Sequence, residues 1–126
     1  MWKKQTIMVV EDAADARSAM VRLLQMEGYH VVSVADARHA LDQLAESDPD
    51  LVLLDVCMPE MDGLTLLAII REDTRWAGLS VLLWTASLDD SVIDRAGDLG
   101  VTGFLLKGTQ SWPSILARVQ AILPPA

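Results

Sequence analysis

The chain has 126 residues and a formal net charge of −8, from ten basic and eighteen acidic residues. This length suits one domain with a hydrophobic core, and it is too short for two. The acidic balance disfavours direct binding to nucleic acid or to an anionic membrane. A single cysteine, Cys57, excludes an internal disulfide framework and fits a reducing, cytoplasmic compartment. No apolar segment reaches the roughly 18 residues that a membrane span needs. We therefore expect one domain over residues 1–126, with a folded core over about 5–123 and a tail or start of a linker at 124–126.

Apolar runs that alternate with helical periodicity predict five strands, each followed by a helix. The runs are short, and turn residues such as Gly28 and Asp48 separate them from the amphipathic segments. Right-handed crossovers would then give an α/β fold, a parallel sheet with helices on both faces. The predicted strands cover residues 7–10, 30–34, 51–54, 80–85 and 103–107, and the helices cover 13–27, 37–47, 63–73, 87–99 and 113–123.

Polar side chains stand where four of these strands end. The acidic pair Glu11 and Asp12 follows the first strand, and Asp55 follows the third. Thr85 ends the fourth strand and Lys107 ends the fifth. Because the carboxyl ends of parallel strands meet at one edge of a sheet, where ligands bind in open α/β folds, we expect these five side chains to lie close together.

Three converging carboxylates would repel one another unless a cation lay among them. Hard oxygen ligands with open positions suit Mg²⁺, and a lysine and a hydroxyl opposite would suit a phosphate group. The set therefore indicates phosphoryl chemistry with Asp55 as the nucleophile. Taken singly, the acidic pair is more typical of a helix N-terminus, Thr85 of a hydrogen-bonded strand end, and Lys107 of a solvated charge.

Over nearly its whole length the chain resembles the receiver domains of two-component response regulators. The matching segments are 9–12 (VVED), 54–63 (LDVCMPEMDG), 84–86 (WTA) and 100–107 (GVTGFLLK). The resemblance implies a flavodoxin-like (βα)5 fold with strand order 2-1-3-4-5. It also implies a phosphorylation-controlled signalling module, not a turnover enzyme.

The resemblance further implies a role for each site residue. Asp55 would accept a phosphoryl group from a sensor histidine kinase or a histidine phosphotransfer protein. Glu11, Asp12, Asp55 and the backbone carbonyl of Cys57 would hold Mg²⁺ or Mn²⁺. Lys107 would pair with the phosphoryl group, while Thr85 and Phe104 would move and switch the surface made by the fourth helix, fifth strand and fifth helix for partner binding.

Some residues depart from the family pattern or vary within it. The family usually has a cis-proline after its lysine, whereas Gly108 stands here; a cis bond without proline costs about 3 kcal/mol, so we expect a trans bond and a reshaped loop. Cys57 and Ser87 occupy positions that tune the lifetime of the phosphoryl group in the family. Trp84 precedes Thr85 and would point to the opposite face of the sheet, into the core.

Three other functions are compatible with parts of this pattern. A phosphatase of the haloacid-dehalogenase type needs a second aspartate two residues after the nucleophile, where Cys57 stands. A flavodoxin-like electron carrier needs a phosphate loop after the first strand, where Glu11 and Asp12 would repel a flavin phosphate. A degenerate receiver that acts only as a protein-interaction scaffold stays open, as do homodimerisation and the identity of the kinase and of the output protein or domain.

Overall fold

The computed structural model describes residues 4–58 and 61–124. Five parallel strands form one sheet in the order 2-1-3-4-5, which confirms the predicted fold. The strands are β1 (Thr6–Val10), β2 (His30–Val34), β3 (Leu51–Leu54), β4 (Ser80–Thr85) and β5 (Gly103–Leu106). Pro59 and Glu60, which belong to the 54–63 segment, and the end of the predicted tail, Pro125 and Ala126, lie outside the described residues.

A helix follows each strand, so the predicted alternation is also confirmed. The helices are α1 (Ala14–Met26), α2 (Ala37–Ser47), α3 (Gly63–Glu72), α4 (Asp90–Asp98) and α5 (Trp112–Ile122), with a 3-10 turn at Thr74–Trp76. Asp36 caps the N-terminus of α2, because its carboxylate accepts the backbone N–H of His39 at 2.8 Å. Within the described residues, no helix combines the length and the apolar character needed to cross a membrane.

Side-chain alternation along the strands divides the core between the two faces of the sheet. Residues such as Met8 and Leu54 pack with α2 and α3 on one face. Residues such as Val9 and Leu53 pack with α1 and α5 on the other. Both faces of β3 are fully buried, as its unbroken apolar run predicts. The helices therefore cover both faces and leave the carboxyl ends of the strands free for polar groups.

Two wrong boundaries change where predicted site residues stand, and several other predicted element ends differ from the structure by one residue. Helix α4 begins at Asp90 and not at Ser87. Asp89 stops the helix from starting earlier, because its carboxylate accepts the backbone N–H of Val92 at 2.9 Å and acts as the N-cap. Strand β5 ends at Leu106, one residue before Lys107. Lys107 therefore stands in the loop that follows the strand.

Arg71 joins α3 to the end of α4. Its guanidinium donates from Nε to the carbonyl of Leu99 at 2.7 Å and from Nη2 to that of Gly100 at 3.1 Å. Nη1 donates to the carbonyl of Trp76 at 2.9 Å. Burial lowers the pKa of Arg71 from its usual value. One planar guanidinium thus donates hydrogen bonds to two carbonyls at the C-terminal end of α4. The helix dipole also favours a cation at that end.

We expect Arg71→Lys to lower the free energy of unfolding by about 2–3 kcal/mol, because one ammonium cannot reach all three carbonyls and hydrogen bonds to charged groups are each worth about 1.5–3 kcal/mol. Urea denaturation followed by circular dichroism measures this change. Arg38→Lys is the matched control, since Arg38 is exposed on α2, and little change is expected there. Equal stabilities of the two variants would contradict the proposed role of Arg71.

Candidate functional site

Four strands bring the predicted site residues to one edge of the sheet. Glu11 and Asp55 directly follow β1 and β3, and the N–H of Asp55 donates to the carbonyl of Val10 at 3.1 Å. Thr85 is the last residue of β4. The N–H of Lys107 donates to the Thr85 carbonyl at 2.8 Å. These bonds extend the strand ladders by one residue, so the backbone fixes where each side chain begins.

The carboxylates of Glu11, Asp12 and Asp55 lie together as the sequence predicts. Each offers an oxygen, and these oxygens lie within 4.8 Å of one another. Glu11 and Asp55 are buried, whereas Asp12 is exposed. Oxygens on opposite sides of one Mg²⁺ stand about 4.2 Å apart, so only small side-chain movements separate this arrangement from a coordinating one. The hard-oxygen donor set and its partial opening to solvent fit a magnesium ion.

Lys107 forms ion pairs with two of these carboxylates. Its ammonium contacts the Glu11 carboxylate, and it donates to Oδ2 of Asp55 at 3.2 Å. The other Asp55 oxygen, Oδ1, accepts the N–H of Cys57 at 3.1 Å. Burial alone would lower the pKa of Lys107, but its contacts with Glu11 and Asp55 outweigh burial and raise it. Lys107 is therefore an ammonium at neutral pH and faces Asp55 directly.

Burial raises the pKa of Glu11, and the nearby Asp55 carboxylate acts in the same direction. The Lys107 ammonium and the N–H of Ala13, which donates to Glu11 Oε2 at 3.2 Å, oppose this rise without cancelling it. The buried acidic groups are thus only partly compensated by the protein's own cation. A divalent ion at this position would complete the compensation.

The hydroxyl of Thr85 lacks a hydrogen-bond partner among the described residues. Its Oγ1 is buried, and the whole residue is 0% exposed. An unsatisfied buried hydroxyl costs roughly 1–3 kcal/mol, so such groups in native proteins usually have a functional or solvent partner. Thr85 ends β4, between β3 and β5, so it lies at the same edge of the sheet as Asp55.

The remaining predicted residues lie on β5 and in the loops that follow β3 and β4. Phe104 is half-buried and packs against the core on the α2/α3 face. Cys57 is a free, exposed cysteine, and Ser87 is exposed in the loop between β4 and α4. The structure therefore brings the carboxylates, Thr85 and Lys107 together, with the side chains of Cys57 and Ser87 exposed nearby in the loops.

Comparison with known proteins agrees with this geometry. Residues 7–120 match the family described as the response regulator receiver domain. The chain belongs to the response regulator receiver domain family. It is 38% identical over 119 residues to the response regulator MprA of Mycolicibacterium vanbaalenii, and the aligned part is 93% of this chain and 49% of that protein. It is 30% identical over 120 residues to the DNA-binding response regulator MtrA of Mycobacterium tuberculosis, and the aligned part is 95% of this chain and 51% of that protein.

Among solved structures, the chemotaxis protein CheY4 of Vibrio cholerae superimposes with a TM-score of 0.89 at 25% identity, covering 95% of this chain and 99% of that one. The receiver domain spans about half the length of the curated relatives that it matches. Receiver domains are signalling domains, not turnover enzymes. Their family binds Mg²⁺ at an acidic site, and response regulators receive signals from histidine kinases and act on output domains.

The loop after β5 departs from the family pattern as the sequence predicts. No cis peptide bond occurs in residues 4–58 and 61–124, so the bond between Lys107 and Gly108 is trans. Gly108 adopts a φ of 80°, which proline cannot reach and which other residues rarely adopt. The glycine therefore permits the receiver domain to make a turn directly after β5, at residues 107–109.

Two residues that position the site were not predicted. Arg17 of α1 donates from Nη1 to the carbonyls of Glu11 at 2.8 Å and Asp12 at 3.3 Å, which fixes the loop that bears both acids. Gly63, at the start of α3, packs so closely on the end of β3 that a Cβ atom there would lie 2.2 Å from the carbonyl oxygen of Asp55. An arginine one turn into α1 was the available signal for the first. Gly63 ends the matching segment 54–63, but a glycine in a sequence does not show which backbone it will approach.

We expect Glu11→Gln to raise the free energy of unfolding at pH 7 in the presence of a chelator. Folding raises the pKa of Glu11 above the ordinary value of 4.5, so its favourable contribution is complete below that pH and is lost as the pH rises through the raised value. The ionised carboxylate therefore opposes folding at neutral pH, and the amide does not.

Urea denaturation at a series of pH values, from below 4.5 up to neutrality, measures this effect. The variant should lose less stability than the wild type as the pH rises over that interval. Glu72→Gln is the matched control because Glu72 is exposed on α3, and it should keep the wild-type slope. An unchanged slope in Glu11→Gln would contradict the prediction.

Proposed function

We propose that this receiver domain accepts a phosphoryl group on Asp55 from a phosphohistidine of a sensor histidine kinase or a histidine phosphotransfer protein, with Mg²⁺ or Mn²⁺ bound. The observation that supports this most directly is the placement of Asp55. It is 3% exposed at the end of β3, with oxygens of Glu11 and Asp12 within 4.8 Å of one of its own and the Lys107 ammonium 3.2 Å from its Oδ2. A carboxylate in this setting is held as a nucleophile beside its charge partners.

In the proposed transfer, an Asp55 carboxylate oxygen forms the new bond to phosphorus while the bond from phosphorus to the donor imidazole nitrogen breaks. Glu11, Asp12, Asp55 and the backbone carbonyl of Cys57 would hold the metal, which would supply charge neutralisation for the phosphoryl oxygens. The ammonium of Lys107 neutralises a further oxygen as a point charge. The metal-binding acids and Lys107 thus share the work of stabilising the transferring group.

Thr85 and Phe104 provide the proposed response to this event. The unpartnered Thr85 hydroxyl donates to a phosphoryl oxygen once one is present. Phe104 pairs with Leu83 of β4, and Thr85 follows Leu83 by two residues on the same face of that strand. Movement of Thr85 toward the site would therefore leave room for the half-buried Phe104 to turn inward. This shift would alter the surface of α4, β5 and α5, where a partner binds. The exposed side chains of Cys57 and Ser87 would tune how readily water reaches the acyl phosphate.

The output of the signal lies outside this domain. The net charge of −8 disfavours direct DNA binding, and a relative such as the DNA-binding response regulator MtrA is about twice the length of the part matched. We therefore propose a single receiver domain over residues 1–126 that acts in the cytoplasm through a separate output protein or domain. A dimer through the α4–β5–α5 surface is one form that such an output can take.

Incubation with acetyl phosphate and Mg²⁺, followed by intact-mass spectrometry, tests the proposal. We expect a gain of one phosphoryl group, which treatment with a chelator before the reaction prevents. Absence of any gain at saturating phosphodonor would overturn the phosphorylation proposal and support the role of a protein-interaction scaffold.

A further inference from the structure

The indole of Trp84 lies beneath the ammonium of Lys107. Trp84 is the penultimate residue of β4 and is 7% exposed, with its side chain on the face covered by α1 and α5. The predicted core placement is thus confirmed, but the ring does more than fill space. The Lys107 Nζ atom lies 4.8 Å from the ring centroid, within the range of a cation–π interaction, for which tryptophan is the strongest aromatic partner.

Both residues border a cavity of about 310 Å³ between α1 and α5. Met20 of α1 and Trp112 and Ile115 of α5 also line it. Apolar side chains thus surround the indole and Lys107 on this side of the sheet. Low local polarity strengthens an electrostatic contact between an ammonium and a ring face.

The backbone fixes where the Lys107 side chain begins, but it does little to fix the ammonium at the other end. Gly108 follows in a trans, left-handed conformation, and no atom lies within 4 Å of the position that a Cβ would take there. Lysine has a flexible four-carbon stem and a strongly hydrated head. Contacts of the side chain itself must therefore hold the ammonium at the site.

Two of those contacts involve the groups proposed to bind the metal. Glu11 and Asp55 hold the ammonium in the free protein, but a divalent cation would share their negative charge and weaken that hold. The indole face binds no Mg²⁺, so its attraction to the ammonium does not compete with metal binding. Among the ring and charge contacts of Lys107 in residues 4–58 and 61–124, only the Trp84 contact has this property.

We propose that Trp84 is a positioning residue, which holds the Lys107 ammonium at the phosphoryl site through the face of its indole ring. This inference rests on the proposed phosphorylation of Asp55 for its kinetic consequence. The placement of Lys107 over the ring is independent of it. The placement of Lys107 and its effect on the phosphorylation rate are therefore tested by separate measurements.

Nuclear magnetic resonance of the full chain tests the placement. The protein contains three lysines, Lys3, Lys4 and Lys107, so selective ¹³C-lysine labelling gives a simple spectrum, and Lys107→Arg assigns the third signal by its loss. A ring face beneath the side chain should shift the ε-methylene protons of Lys107 upfield. We expect Trp84→Leu to abolish this shift with or without Mg²⁺, and Trp84→Phe to retain part of it.

Initial rates of phosphorylation by acetyl phosphate at saturating Mg²⁺ test the consequence. Trp84→Leu should slow the reaction about fivefold to tenfold, as expected for losing a partly desolvated cation–π contact. Trp84→Phe should restore part of the rate. Trp112→Leu is the matched control, because it removes an indole from the same cavity without removing the ring beneath Lys107, and it should keep both the shift and the rate even where thermal stability falls.

An unshifted Lys107 signal in the wild type, or a shift that survives in Trp84→Leu, would overturn the proposed placement. Equal slowing in the Trp84→Leu and Trp112→Leu variants would overturn the positioning role and assign both tryptophans to packing alone. If the wild type accepts no phosphoryl group, the proposed function fails, and the shift measurements still decide whether Trp84 holds Lys107.

Discussion

Asp55→Asn is expected to abolish phosphoryl uptake from acetyl phosphate while leaving the fold intact. An amide cannot act as the carboxylate nucleophile that forms an acyl phosphate. Its oxygen can still accept the Cys57 N–H, which lies 3.1 Å from Oδ1 in the wild type. Intact-mass spectrometry after incubation with Mg²⁺ measures the uptake, and circular dichroism checks the fold.

The matched control is Asp42→Asn, because Asp42 is exposed on α2, away from the strand ends. This variant should gain one phosphoryl group at the wild-type rate. Retained uptake in Asp55→Asn would contradict the assignment of Asp55, and peptide mapping would then show whether the exposed carboxylate of Asp12 had accepted the group. A loss of uptake in both variants would show that the assay reports on net charge and not on the nucleophile.

Much of the site could be predicted because strand ends are visible in the sequence. The apolar run of β3 marks a strand buried on both faces, and the first polar residue after it is Asp55. The same pattern places Glu11 and Thr85. In a parallel sheet these ends share one edge whatever the exact register, so the predicted assembly did not depend on knowing the side-chain contacts.

The contacts themselves could not be predicted, because they join residues far apart in the chain. Lys107 meets Glu11 only because β5, β4, β3 and β1 are neighbours in that order. Its position over Trp84 depends on the register that pairs Trp84 with Leu105 and Thr85 with Leu106. Arg71 reaches the end of α4 across 28 residues. Sequence periodicity assigns a face to a side chain, but it does not give such distances.

The start of α4 shows a different limit. The apolar stripe of this helix suggested that it began at Ser87, but the carboxylate of Asp89 caps the helix at that point. Several polar residues in a row offered possible caps, and propensity alone does not choose among them. The error affects the site because Ser87 consequently stands in an exposed loop, where its side chain is free to face solvent beyond Thr85.

Gly63→Ala is expected to lower the free energy of unfolding by about 3 kcal/mol and to reduce phosphoryl uptake, because overpacking against fixed backbone cannot be relieved by a side-chain movement. The added Cβ would lie 2.2 Å from the Asp55 carbonyl oxygen and 2.9 Å from the Cα of Val56. Gly63 also donates its N–H to the Val56 carbonyl at 2.9 Å, so α3 begins directly over the end of β3. Urea denaturation and the acetyl phosphate assay measure the two effects.

Gly97→Ala provides a control of opposite sign for the same chemical change. Gly97 lies within α4, and nothing lies within 4 Å of the Cβ that alanine would add. Alanine is a better helix former than glycine, so the free energy of unfolding should rise by about 0.5–1 kcal/mol. A lower free energy of unfolding in both variants would mean that α4 is packed more tightly around Gly97 than the open space there indicates. A neutral Gly63→Ala would mean that the segment bearing Asp55 can move away from α3, and the nucleophile would then not be held by the close approach of the two backbones.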